Sequence, residues 1–121
     1  MTQELLALDT EQLKSLRELN EPGEPDLVTE LIDIFIKQSP ETLEALHAAV
    51  KKNDSKAIEK MAHKLKGSCA NLGAEKMRSL CQKMEERGRI DVLEDSEALY
   101  QSIFSSYKEV IVILEKEWRI V

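Results

Sequence analysis

The sequence contains few aromatic, glycine, proline and cysteine residues. Of its 121 residues 4% are aromatic, and there are four glycines, three prolines and two cysteines. The scarcity of aromatic side chains argues against a surface on which nucleic-acid bases stack, and the net charge of −6 argues against DNA binding. Two cysteines do not form a disulfide framework, and Cys69 and Cys81 both fall on apolar helix stripes, which indicates small core residues.

Long apolar runs are also missing. No segment approaches the length that spans a membrane, and the N-terminus lacks the basic and then apolar pattern of a signal segment. We therefore expect no membrane association and a cytoplasmic location. With 42% hydrophobic and 33% charged residues, the chain predicts one globular domain over residues 1–121 with a single core.

What the sequence does contain is apolar residues at helical spacing, without β-type alternation. Asp9 is the predicted N-cap of a short first helix, with Gln12 as its capping-box partner. Further helices are predicted over residues 26–38, 39–50, 54–71, 74–88 and 95–118, with Pro40 beginning one of them and Gly73 and Gly88 ending two others. The pattern predicts an all-α fold, an up-down antiparallel four-helix bundle with an additional short N-terminal helix.

The predicted helix over residues 26–38 is apolar around roughly half of its circumference, which is more than one buried face requires. Its apolar residues are Leu27, Val28, Leu31, Ile32, Ile34, Phe35 and Ile36. Two explanations remain open. Either the helix is deeply buried, or the edge with Ile32 and Ile36 is exposed as part of a partner-binding surface.

His63 lies on the exposed side of the predicted helix over residues 54–71. The buried stripe of that helix is Ile58, Met61, Ala62, Leu65, Cys69 and Leu72, and His63 points roughly 150° away from its centre. A lone surface histidine is usually only a solvated side chain. Gly67 alters that balance, because glycine within a helix costs about 1 kcal/mol relative to alanine and this position faces solvent. We therefore predict that a partner approaches the helix closely at Gly67.

The run His63-Lys64-Leu65-Lys66-Gly67-Ser68-Cys69-Ala70-Asn71-Leu72-Gly73-Ala74 resembles the H-x-L-K-G-S-x-x-x-L-G-A signature of histidine-containing phosphotransfer (HPt) domains. The resemblance extends upstream through Ile34-Phe35-Ile36-Lys37-Gln38 and downstream through Leu80-Cys81-Gln82-Lys83-Met84-Glu85, and it covers roughly residues 8 to 118. It implies a phosphorelay intermediate in which His63 carries the phosphoryl group and Lys66 contacts its oxygens. The implied partners are response-regulator receiver domains and a sensor histidine kinase, with Mg²⁺ held by the receiver domain.

The residues around His63 suit that chemistry. An unperturbed imidazole has a pKa of about 6.5, so much of it is neutral and nucleophilic at cytoplasmic pH. The segment 56–66 holds four lysines and one glutamate within an acidic protein, a local positive field that favours a phosphoryl group and an acidic partner. For Lys56 and Lys60 a purely solubilising role is equally open, whereas Lys64 flanks His63 and supports the site. Ala70 shares this face, which we expect to bind partners together with Lys56, Lys60 and Gly67.

The sequence has neither a nucleotide-binding loop nor an aspartate cluster that would hold Mg²⁺. We therefore expect a monomeric phosphoryl carrier rather than an enzyme, without a metal or cofactor of its own. A single pair, Glu59 and His63, is weak evidence for a metal site. His47 lies at the edge of a core stripe and is interpreted as structural.

The sequence allows two alternatives to a phosphorelay intermediate. The dimerisation helix of a histidine kinase has an acidic residue directly after the histidine, where this chain has Lys64, and these 121 residues include no ATP-binding domain. The other alternative is a helical adaptor bundle in which His63 is incidental.

Overall fold

Five α-helices form the protein in the computed structural model, which describes residues 5–120. They are α1 (Thr10–Glu18), α2 (Leu27–Lys51), α3 (Ser55–Leu72), α4 (Glu75–Ile90) and α5 (Ser96–Ile113), and α5 continues into a π-helical turn, Leu114–Trp118. The long helices pack in chain order, and α5 returns against α2 to close the bundle, while α1 packs on α2. The predicted all-α bundle is confirmed. Within residues 5–120, no helix combines the length and apolarity needed to cross a membrane.

The core is a single cluster to which all five helices contribute. On α3 the fully buried positions follow a regular four-three spacing, and they are Ile58, Ala62, Leu65, Cys69 and Leu72. On α4 the facing positions are Met77, Cys81, Met84 and Gly88. Both cysteines are free and buried, which confirms the prediction of core residues. A hydrogen bond with Cys69 and burial raise the pKa of the Cys81 thiol, which keeps it protonated.

The two helices predicted over residues 26–38 and 39–50 are one continuous helix, α2, with Pro40 inside it. The prediction of a new helix at Ser39-Pro40 was therefore wrong. Pro40 faces solvent, where water can satisfy the carbonyl that its missing N–H leaves free, and the core residues Phe35 and Leu43 anchor the helix on both sides. Tertiary packing thus overrides a local helix-breaking signal.

Gly88 does not end α4, which continues to Ile90 and ends at Asp91 in the left-handed conformation (φ 58°). Instead Gly88 is buried where α4 crosses α3. A Cβ atom at this position would lie 2.6 Å from the Glu59 nitrogen and 2.7 Å from the Ser55 oxygen. The glycine is required because these are backbone atoms of α3, which cannot move aside as a side chain can.

The N-terminal segment and α1 cover the end of α3. The Asp9 amide donates to the Gly73 carbonyl (2.6 Å), and Gly73 has a positive φ of 76° that favours glycine. Asp9 caps α1 as predicted, but Gln12 does not complete a capping box. Its Nε2 donates to the carbonyls of Ala70 (2.7 Å) and Asn71 (2.9 Å), which lie in the last turn of α3, where carbonyls have no N–H partner within the helix ladder.

A polar cluster ties α1 and the start of α2 to the C-terminal turn. Arg17 forms an ion pair with Asp26 (2.8 Å), stacks over the Trp118 ring at 5.5 Å and donates to the Trp118 carbonyl. The hydrogen bond with Arg17 lowers the pKa of Asp26 from its ordinary value of 3.8 to about 2, and the hydrogen bonds from Thr29 act in the same direction. The Asp26 carboxylate therefore stabilises the fold in its ionised form.

Gly88→Ala tests the close crossing of α3 and α4. Overpacking against a rigid backbone should destabilise the protein by about 1–3 kcal/mol, although alanine is the better helix former. Gly67→Ala is the matched control, because a Cβ at Gly67 meets no atom within 4 Å and should stabilise the protein by up to about 1 kcal/mol. Urea unfolding followed by circular dichroism measures both. Equal stability of the two variants would contradict the assigned role of Gly88.

The Asp26 cluster predicts a stability change in acid. Because the pKa of Asp26 is lower in the folded protein, the stability that its carboxylate contributes is full above the ordinary pKa of 3.8 and is lost as pH falls through about 2. The loss should be about 2 kcal/mol. Asp26→Asn should remove this part of the pH dependence in urea titrations from about pH 5 to about pH 2, whereas Asp33→Asn, on an exposed carboxylate, should retain it. Parallel curves of unfolding free energy against pH for wild type and Asp26→Asn would contradict the assigned role of Asp26.

Candidate functional site

The exposed face of α3 carries the imidazole of His63, whose side chain is 69% exposed. The buried stripe of α3 turns this face to solvent, and the other predicted residues of the face are also exposed, namely Lys56, Lys60, Lys64, Gly67 and Ala70. The orientation predicted for His63 is therefore the one that the structure has.

The carboxylate of Glu85, on α4, contacts the His63 ring at Nδ1. Its Oε2 lies 2.8 Å from His63 Nδ1. A carboxylate only accepts, so Nδ1 carries the proton of this hydrogen bond. In the neutral ring the lone pair is then on Nε2, the nitrogen that is not held by Glu85. The pair thus fixes the ring orientation and leaves the lone pair of Nε2 free.

Lys66 and Gln82 complete a four-residue network with His63 and Glu85. Lys66 Nζ lies 2.6 Å from Glu85 Oε1 and donates to Gln82 Oε1 at 3.1 Å. The side chains of Lys66 and Glu85 are 25% and 17% exposed, so both charges are partly shielded from water. Lys66 is therefore held by α4 and does not extend freely into solvent.

Glu85 is ionised in this network although it is largely buried. Burial raises the pKa of Glu85, but the hydrogen bonds and positive charges of Lys66 and His63 outweigh burial, and its pKa ends below the ordinary value. The carboxylate lies between two partners: Lys66 forms an ion pair with Oε1, and His63 Nδ1 donates to Oε2. The negative charge of Glu85 is thus available to the ring at neutral pH.

Sequence reasoning missed Glu85 and Gln82 as site residues. They lie 22 residues after His63 and 16 residues after Lys66, respectively, and no local motif connects them. The signal that could have found them is the antiparallel register of α3 and α4. In an antiparallel pair, the residue three positions after His63, Lys66, lies opposite the residue three positions before Glu85, which is Gln82. That register becomes visible only when the hairpin is assembled.

Of the two explanations left open for this stretch of α2, burial holds for Ile32, so a partner-binding role for Ile32 was wrong, whereas that role stays a prediction for Ile36. Ile32 is fully buried and Ile36 packs half-buried against the core, because both lie on the side of α2 that faces the bundle. The exposed apolar edge of α2 is the opposite one, where Ile34 is 50% exposed. Ile34 lines a shallow groove of about 60 Å³ between α2 and α3. The other residues of this groove are Leu31, Phe35, Gln38, Ser68, Asn71 and Leu72.

Gly67 leaves open space one helical turn after His63. A Cβ atom added there meets nothing within 4 Å, so packing within residues 5–120 gives no reason for a glycine. Lys56, Lys60 and Lys64 form no ion pair within the same residues, and both interpretations of Lys56 and Lys60 stay open.

His47 lies on α2 and has structural contacts with α5. Its Nε2 lies 2.9 Å from Glu97 of α5, and its ring stacks on Tyr100 with 4.0 Å between centroids. The interpretation of His47 as a boundary residue agrees with these contacts. Across residues 5–120 no three His, Cys, Asp or Glu side chains are grouped so that they could hold a metal ion.

Comparison with known proteins places this site in a family. The family model of the Hpt domain matches residues 30–111. The chain belongs to the histidine-containing phosphotransfer family. The HPt fold extends over nearly all of the chain, since the crystal structure of histidine-containing phosphotransfer protein B (HptB) from Pseudomonas aeruginosa PAO1 superimposes with a TM-score of 0.84 and 32% identity, covering 92% of this chain and 93% of that one.

Two curated relatives of this HPt domain are eukaryotic. The phosphorelay intermediate protein rdeA of Dictyostelium discoideum is 31% identical over 79% of this chain and 39% of its own length. Histidine-containing phosphotransfer protein 5 of Arabidopsis thaliana is 27% identical over 62% of this chain and 50% of its own length. The chain thus matches half or less of the length of these two relatives.

Proposed function

We propose that this HPt domain is a phosphorelay intermediate that accepts a phosphoryl group on Nε2 of His63 and passes it to a response-regulator receiver domain. The donor is either a sensor kinase or the phosphoaspartate of another receiver domain. The observation that carries the proposal is the exposed His63 ring whose Nδ1 is bound to Glu85, on a lysine-rich face with open space at Gly67. The similarity to a phosphorelay intermediate protein favours a phosphorelay over a helical adaptor.

The transfer step needs a nucleophile and a good leaving group. The Nε2 lone pair of His63 attacks the phosphorus of the donor's aspartyl phosphate, so that an N–P bond forms and the acyl P–O bond breaks. The electron pair of that bond leaves on the donor's carboxylate. The same step in reverse, toward a second receiver domain, returns His63 to its neutral form. Phosphoryl transfer depends mostly on positioning and on charge stabilisation.

Lys66 supplies the positive charge in this proposal. Lys66 forms an ion pair with Glu85 and donates one N–H to Gln82, and a further N–H of its ammonium group can donate to an oxygen of a phosphoryl group on His63. A fixed ammonium at that position stabilises charge that develops during transfer. Lys64 supports it from the exposed side.

HPt domains are phosphoryl carriers, and we infer that the catalytic groups and the Mg²⁺ ion come from the receiver domain. We also infer that this domain acts as a monomer in the cytoplasm. An acidic, cation-binding pocket on the receiver domain would complement the lysines of α3.

The docking surface that we infer combines the α3 face with the neighbouring edge of α2. Ile34 is half exposed there, and the groove that it lines reaches Ser68 and Asn71 of α3, next to Gly67. An apolar contact beside a cleared, positively charged helix face gives a receiver domain both an anchor and access to His63.

His63→Gln tests the proposed acceptor. An exposed side chain contributes little to stability, so the variant should unfold at nearly the wild-type urea concentration. Radiolabelled phosphate from a phosphorylated receiver domain should no longer transfer to it. His47→Gln is the control and should still be labelled. Persisting label on His63→Gln would mean that another residue accepts the phosphoryl group, and loss of label on His47→Gln would have the same meaning for His47.

Ile34→Asp tests the docking surface. The charge should weaken binding to a receiver domain and slow transfer at low receiver concentration about tenfold, the effect of roughly 1.4 kcal/mol. Val112→Asp is the matched control, because Val112 is 51% exposed but lies on α5. Gly67→Arg should fold and also slow transfer, since its side chain fills the cleared space. Wild-type rates for both Ile34→Asp and Gly67→Arg would exclude this surface.

A further inference from the structure

The contact between Glu85 and His63 has a consequence for the phosphorylated state, and this inference rests on the proposed function. After Nε2 has formed the N–P bond, one ring nitrogen carries phosphorus. If Nδ1 keeps its proton, both ring nitrogens carry a substituent and neither has a free lone pair. The ring is then a cation that carries an anionic phosphoryl group. If the Nδ1 proton is lost to solvent, the ring becomes neutral, and Nδ1 can no longer donate to Glu85.

The two forms differ as phosphoryl donors. In onward transfer the N–P bond breaks and its electron pair remains on Nε2. With Nδ1 protonated, the leaving group is neutral imidazole, whereas without that proton it is the imidazolate anion. Neutral imidazole is the more stable of the two and leaves more readily, so onward transfer depends on the Nδ1 proton.

The structure positions one group to retain that proton. Glu85 Oε2 lies 2.8 Å from Nδ1, is only slightly exposed and is anchored on its other oxygen by Lys66 at 2.6 Å. We propose that Glu85 keeps Nδ1 protonated after the phosphoryl group has arrived, and thereby holds phosphorylated His63 in its reactive form. Glu85 is in this role a positioning residue that acts through the ring.

The neighbouring charges set the size and direction of the effect. On α3 the ammonium of Lys66 faces Glu85 directly, and Lys60 and Lys64 are exposed. On α4 Gln82 is neutral and Glu86 is exposed and pairs with Arg89 at 3.7 Å. Among residues 5–120, α2 and α5 contribute no ion pair to Glu85 or His63. Glu85 therefore favours the protonated ring and Lys66 opposes it, while water screens the exposed charges.

The experiment uses the full chain, ¹⁵N-labelled on histidine and phosphorylated with the small-molecule donor phosphoramidate. Nuclear magnetic resonance of the ring nitrogens and of phosphorus across a pH series gives the pKa of the phosphorylated ring. Glu85→Gln keeps an acceptor oxygen but removes the charge, and should lower that pKa by about one unit or more. Lys66→Met should raise it, because the opposing positive charge is gone. Glu86→Gln is the control and should leave it within about 0.3 units, as screening predicts for an exposed charge.

A second readout connects the proton to transfer. In wild type, the rate of transfer from phosphorylated His63 to a receiver domain should persist to higher pH than in Glu85→Gln, by the same shift. Equal ring pKa values in wild type and Glu85→Gln would overturn the inference, as would a fall in Lys66→Met. Failure of phosphoramidate to label His63 at all would instead overturn the proposed function, so the two failures are distinguishable.

Discussion

The tight packing of α3 against α4 is the constraint on which the site depends. Gly88 lets the α4 backbone approach Ser55 and Glu59 of α3 more closely than a side chain would allow. The resulting antiparallel register sets Glu85 opposite His63. A helix in isolation could expose a histidine, but only this pairing brings a carboxylate to one ring nitrogen and leaves the other for chemistry.

The site combines a positively charged helix face with one shielded negative charge, that of Glu85. The protein has a net charge of −6, yet the segment around His63 is lysine-rich, so the phosphoryl group meets a positive face on an acidic protein. Within that face Glu85 is a shielded carboxylate whose pKa is lowered by Lys66 and His63 despite its burial. Lys66 thus stabilises the Glu85 carboxylate in the free protein, and in the proposed transfer step it also stabilises the phosphoryl group.

Helical periodicity was enough to predict the bundle, because it marks the helices and their buried stripes. It was also enough to predict the exposure of His63, because this residue lies opposite the buried stripe of α3. What it could not predict depends on how helices meet. Pro40 lies within α2 because core contacts on both sides outweigh the local break. Periodicity left open which edge of the apolar stretch of α2 is buried, and only the packing shows that Ile32 is buried and Ile34 exposed. Glu85 was missed since its proximity to His63 requires the hairpin register.

The most direct measurement of the central claim locates the phosphoryl group on the protein. A phosphorylated receiver domain is mixed with the ¹⁵N-histidine-labelled chain, and nitrogen–phosphorus coupling is recorded. The account predicts coupling at Nε2 of His63, with the Nδ1 proton still present at neutral pH. Coupling at Nδ1 of His63 would contradict it, because that nitrogen is the one bound to Glu85. Coupling at either nitrogen of His47 would contradict the assignment of the site itself.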